Sequence, residues 1–124
     1  MDKYLVIALG GGLGACARYG LGVWANDRFG ANFPYGTLLI NISGSFVLGL
    51  FLTLTAGRLP VDPGWRLLFA TGFLGAYTTF STYTFESVQL ILAGQWQAGL
   101  VNLVASNLLG LGAVVLGIAL GQRL

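Results

Sequence analysis

Four stretches of this chain carry no Asp, Glu, Lys or Arg: Lys3 to Arg18, Arg28 to Arg58, Arg66 to Glu86, and Glu86 to Arg123, each counted between the named residues. A helix that crosses the hydrocarbon layer needs about 20 mainly apolar residues. The runs therefore predict an all-α integral membrane protein with four transmembrane helices. The spans are placed at about Lys3 to Asn26, Pro34 to Ala56, Trp65 to Ala93 and Trp96 to Leu120. With 124 residues, 56% hydrophobic and 8% charged, the chain has no length left for a soluble domain, so residues 1–124 read as one membrane unit. Its 20 glycines suit membrane helices that pack backbone to backbone. They would weaken the helices of a soluble core. Trp24, Trp65 and Trp96 fall near span ends, where amphipathic rings favour the interface.

The same composition removes whole classes of activity. There is no histidine, and the only acids are Asp2, Asp27, Asp62 and Glu86. A zinc site, a Ser-His-Asp triad and a paired-carboxylate mechanism all lack parts, so no catalytic residue is expected. The six basic residues are scattered singly, which leaves no patch for nucleic acid. Gly10-Gly11-Gly12-Leu13-Gly14-Ala15 loosely fits a dinucleotide pattern, but that pattern has meaning only between a strand and a helix of a soluble unit, so no nucleotide is expected. Leu13-Gly14-Ala15-Cys16 imitates a lipoprotein signal. Cleavage there would delete a span whose small residues are spaced to pack, and Cys16 reads as a packing residue.

The third apolar stretch is interrupted where a spanning helix should be most regular, at Gly72-Phe73-Leu74-Gly75-Ala76-Tyr77-Thr78-Thr79-Phe80-Ser81-Thr82-Tyr83. A break near Gly75 to Thr79 frees backbone carbonyls and amides at mid-depth. Such groups are tolerated only where protein buries them or where they line a cavity, which is how ion and substrate sites are built. The other spans each carry one face unlike lipid, at steps of four residues. These faces are Gly10, Gly14, Arg18 and Gly22; Thr37, Asn41, Ser45 and Gly49; and Ala98, Asn102, Ser106 and Gly110.

Close packing accounts for the glycines in those stripes. Asn41 asks for more, because an amide in mid-span must face protein or water; it reads as part of a polar pathway. Arg18 either borders an aqueous vestibule or snorkels to the interface. Glu86, one turn beyond Thr82, reads as a structural hydrogen-bond partner rather than as a proton or cation carrier. Phe80 and Tyr83 share a helix face after the break, beside Ser81 and Thr82. Aromatic rings are positive at the edge, so the pair can border a small anion without supplying a full charge.

Taken together, Gly11-Gly12-Leu13-Gly14-Ala15 with Arg18-Tyr19, Gly36-Thr37-Leu38 through Asn41-Ile42-Ser43-Gly44-Ser45, Gly72-Phe73-Leu74-Gly75 and Thr78-Thr79-Phe80-Ser81-Thr82 resemble the Fluc, or CrcB, family of fluoride channels. The likeness covers almost the whole chain. It implies a passive fluoride channel in the bacterial inner membrane, exporting cytoplasmic fluoride and so lowering its toxicity. It also implies an antiparallel, dual-topology homodimer with two pores and a central structural Na+. By the resemblance, carbonyl oxygens of Gly75 and Thr78 from both subunits hold the sodium. Asn41, Phe80, Tyr83, Ser81, Thr82 and Ser106 fall on the fluoride pathway, with Thr37 and Arg18 at its polar track and vestibule. Tyr83 departs from the family, which usually has Phe there, and its phenol offers an O–H donor in place of a ring edge.

The charges do not favour dual insertion. Lys3, Arg58, Arg66 and Arg123 fall on one side and Arg28 on the other, which by the positive-inside rule puts the N-terminus in the cytoplasm. Two other classes compete. A small proton-coupled multidrug exporter needs a carboxylate in the first span, and this chain has none there. A membrane assembly subunit would leave Asn41 and the Thr-rich break without a role.

Overall fold

The computed structural model describes residues 2–124, and every element among them is helical. In order these are α1 (Lys3–Phe29), α2 (Tyr35–Ala56), α3 (Pro63–Arg66), a π-helical segment (Leu67–Leu74), α4 (Gly75–Tyr77), α5 (Ser81–Leu92) and α6 (Trp96–Arg123). Three of them, α1, α2 and α6, are long and apolar enough to cross a membrane by length and composition. The third apolar stretch runs from α3 through α4 without interruption, stops, and resumes as α5.

Local chemistry sets the ends. Asp2 accepts a hydrogen bond from the Tyr4 N–H at 2.6 Å and caps α1. Gly30, at φ 83°, ends it. Pro63 opens α3, where a missing N–H costs nothing. Between α5 and α6 the turn rests on Gly94 at φ 84°. There the Gly94 N–H donates to Ile91 at 3.1 Å and the Gln95 N–H to Leu90 at 2.8 Å, the paired bonds with which a left-handed glycine closes a helix. The Arg58 guanidinium caps the far end of α6, donating to the carbonyl oxygens of Gln122 (2.9 Å) and Arg123 (3.3 Å).

Packing follows the small-residue stripes. Gly10 and Gly14 of α1 lie on the backbone of the π-helical segment, so close that a Cβ on either would run into a main-chain carbonyl oxygen, of Leu68 or Phe73. Gly22 meets Gly36 of α2. On the other side of α2, a Cβ at Gly49 would stand 2.6 Å from the Val114 carbonyl oxygen of α6, and Gly117 and Gly121 return the contact. Between α5 and α6 the joint is polar: Ser87 and Asn102, each 1% exposed, hydrogen-bond at 2.8 Å.

The break falls at the C-terminal end of the expected Gly75 to Thr79 stretch and reaches one residue beyond it. Gly75 is helical, at φ −61° and ψ −37°. The chain leaves the helix at Thr78, where ψ reaches 157°, and re-enters at Ser81. Glycine permits unwinding without compelling it; the competing bonds described below lie at Thr78 and Thr79. The eight-residue π-helical stretch was not expected at all. α1 and α6 also run past Asn26 and Leu120, to Phe29 and Arg123.

Candidate functional site: a cleft at the helix break

Asn41 holds the break from α2. Its Oδ1 accepts from the Thr79 N–H at 2.9 Å, and its Nδ2 donates to the Thr79 carbonyl at 2.9 Å. One side chain thus satisfies both main-chain groups of a residue outside any helix, which is what such a residue requires at membrane depth. A carboxamide nitrogen has two hydrogens. The second is left over on an atom group that lines a cleft of about 450 Å³.

Main-chain acceptors are left without donors at the break. In an unbroken helix the Thr79 N–H would go to Gly75 and the Thr82 N–H to Thr78. Here Asn41 takes the first, and the Oγ1 of Thr79 takes the second at 3.3 Å. Among the described residues no other donor reaches the Gly75 or Thr78 carbonyl oxygen. The Tyr77 carbonyl is likewise bare, since no bond from the Ser81 N–H reaches it across the break, while two other neighbours are served. Leu74 accepts from both the N–H (3.1 Å) and the Oγ1 (2.9 Å) of Thr78, and Ala76 accepts from Arg18 Nε at 3.1 Å.

The same cleft gathers most of the residues singled out from the sequence. Asn41, Gly75, Thr78, Phe80, Tyr83 and Ser106 all line it. Phe80 is 76% exposed in the protomer while Tyr83 is 5% exposed, and their ring centroids stand 5.7 Å apart with the planes at 57°. Ser106 donates to Asn102 Oδ1 at 3.2 Å. Arg18, Thr37 and Thr82 line a second cleft, of about 300 Å³, and Thr79 is common to both. The break is therefore the wall between them. The Arg18 charge stands beside that wall, tied to it through Ala76 rather than extended along lipid. Ser81 is exposed and lines neither cleft.

A model of the family described as CrcB-like protein, Camphor Resistance (CrcB), matches residues 5–118. The chain belongs to the CrcB family. A relative in Koribacter versatilis is 55% identical over 113 residues, covering 91% of this chain and 90% of its own. One in Acidobacterium capsulatum is 48% identical over 122 residues, 98% of each chain. A third, in Sulfurihydrogenibium sp., is 43% identical over 124 residues, the full length of both. Each of these CrcB relatives carries the name fluoride-specific ion channel FluC.

Two features of this CrcB chain add to the sequence reading. The Tyr83 hydroxyl is not an open donor: it accepts from Asn107 Nδ2 at 2.7 Å and donates to the Leu103 carbonyl at 3.3 Å. Asn107, which also lines the larger cleft, went unnoticed because it stands one residue off the Ala98, Asn102, Ser106, Gly110 stripe. A polar amide in an apolar span was the signal available. Glu86 lies beside a cleft of about 430 Å³ at the α1–α2 connection. Its Oε1 is buried and finds no hydrogen-bond partner among the described residues.

Proposed function

We propose that this chain is a fluoride-selective passive channel, not an enzyme, which lets fluoride leave the cytoplasm of a bacterial cell through the inner membrane. The observation that carries the proposal is the larger cleft. It brings a pre-held amide donor, Asn41, into the same lining as Phe80, Tyr83 and Ser106. The names of the CrcB relatives support the same reading. Fluoride is small and strongly hydrated, so a path for it must replace water with closely spaced donors and positive ring edges. Asn41 is clamped at both ends by Thr79, so its remaining N–H is aimed before any ion arrives. Arg18 draws an anion toward the second cleft, where Thr37 and Thr82 offer hydroxyls. Ser81 and Thr82 stand at the start of α5, the positive end of its dipole.

The working unit in this proposal is a homodimer of opposed protomers with two pathways. Phe80 is exposed although it sits at mid-span, and the bare Gly75 and Thr78 carbonyls need a covering surface. A second copy supplies both. Paired Gly75 and Thr78 carbonyls suit a small hard cation such as Na+, which freed helix-end carbonyls hold in other membrane proteins. Among the described residues no cluster of acidic, Cys or His side chains offers an alternative metal site. The sodium would be structural: it satisfies acceptors that nothing else reaches.

Purified protein in liposomes loaded with fluoride should release it within the time resolution of a fluoride electrode, with no proton gradient applied. Chloride should leave about a hundredfold more slowly or less, a margin of roughly 2.7 kcal/mol in barrier height. Equal rates for the two halides would remove the selectivity claimed for the cleft. Prolonged sodium depletion should lower both the dimer fraction and the flux, and readdition should restore them. A dimer and a flux that both persist without sodium would count against the metal.

A further inference from the structure

We propose that Asn107 is the positioning residue for the aromatic ring at position 83, the tether that holds the tyrosine hydroxyl against α6 and fixes the ring beside Phe80. The inference rests on the fluoride-channel reading above. Tyr83 is 5% exposed, and a buried phenol needs a partner for its polar end. It has two, both on α6. The bond to the Leu103 carbonyl, at 3.3 Å, is long for an O–H···O contact, whereas Asn107 Nδ2 approaches to 2.7 Å. Asn107 is thus the firmer tie. Its own orientation is set by a second bond from Nδ2 to the same Leu103 carbonyl, at 2.8 Å.

The three groups form a closed triangle, with consequences for what each can do in the cleft. Both amide hydrogens of Asn107 are used, and the oxygen that remains is an acceptor, which repels an anion. Asn107 therefore does not bind fluoride; it acts through Tyr83. The phenol hydrogen is engaged too. What position 83 presents is the ring, held 5.7 Å from Phe80. Released from Asn107, the hydroxyl keeps one weak bond, and the ring is free to swing its polar end toward the path. A phenylalanine in its place would have no polar end to restrain, and Asn107 would have no task.

The test compares Asn107→Leu in the native protein and in a Tyr83→Phe background, each against its own parent, by fluoride efflux from liposomes. With Tyr83 present, the substitution should lower efflux by about tenfold; in the Tyr83→Phe background it should change efflux by less than about twofold. Equal losses in both backgrounds, or no loss with Tyr83, would overturn the proposal. Asn107→Ala gives the same comparison if the leucine variant does not fold. A second readout needs no transport. In protein labelled with 3-fluorotyrosine, the ¹⁹F signal that disappears in Tyr83→Phe belongs to Tyr83, and Asn107→Leu should shift and broaden it. An unmoved signal would refute the tether whatever ion the protein passes, and absence of fluoride efflux from the native protein would refute only the channel reading.

Discussion

Replacing Asn41 with leucine should abolish fluoride efflux, a fall of at least about a hundredfold, and should lower the melting temperature of the detergent-solubilised protein. Both bonds from Asn41 go to Thr79, so the change leaves a main-chain donor and a main-chain acceptor unpaired at once. Interhelical hydrogen bonds in membranes average only about 0.6 kcal/mol in double-mutant cycles. An orphaned buried group costs more, about 1 to 3 kcal/mol, and here the break has no spare partner to offer. Asn41→Asp separates the two bonds. A carboxylate still accepts from the Thr79 N–H, but its other oxygen faces the Thr79 carbonyl, and a charge at the centre of a span adds roughly 2.5 to 3.5 kcal/mol. The aspartate should therefore be no better than the leucine. Efflux from Asn41→Leu within about threefold of the native rate would show that the clasp is dispensable.

Gly14→Ala should have the second largest effect, through assembly rather than permeation. The added Cβ would stand 2.8 Å from the Phe73 carbonyl carbon and 3.0 Å from its Cα. These are main-chain atoms and cannot rotate aside. Overpacking costs about 1 to 3 kcal/mol, and here the upper part of that range is expected. Gly12→Ala is the control, since nothing lies within 4 Å of its Cβ position. Thermal stability should fall for the first and hold for the second. Two equal curves would mean that α1 does not rest on the π-helical segment.

How far these features could be read in advance depends on the range of the interaction. The charge-free runs marked the helices, because hydropathy is additive along a chain and needs no partner. The stripe of Gly10, Gly14, Arg18 and Gly22 likewise marked a packing face, since a step of four residues is set by the helix alone. The partner of Asn41 was not legible: Thr79 lies 38 positions away, and only the tertiary arrangement says which carbonyl an amide will find. That is also why the break was bracketed at Gly75 to Thr79 and not pinned to the two threonines whose bonds are diverted. Leu67 to Leu74 reads like any apolar helix, so its wider winding left no compositional trace. Tyr83 was legible as an unusual residue, but its consequence was not, because the group it bonds, Asn107, stands off the polar stripe of α6.

The π-helical winding hides a surplus residue. Each residue advances an α-helix by about 100°, and the wider coil between Leu67 and Leu74, with its longer hydrogen-bond step, advances less per residue. Tightening that coil to ordinary pitch with the residue count unchanged would swing Thr78 and Thr79 to another compass bearing, beyond the grasp of Asn41. Removing one residue as the coil tightens would bring them back close to where they now face. The stretch is a phase-setter in which winding and length have to change together.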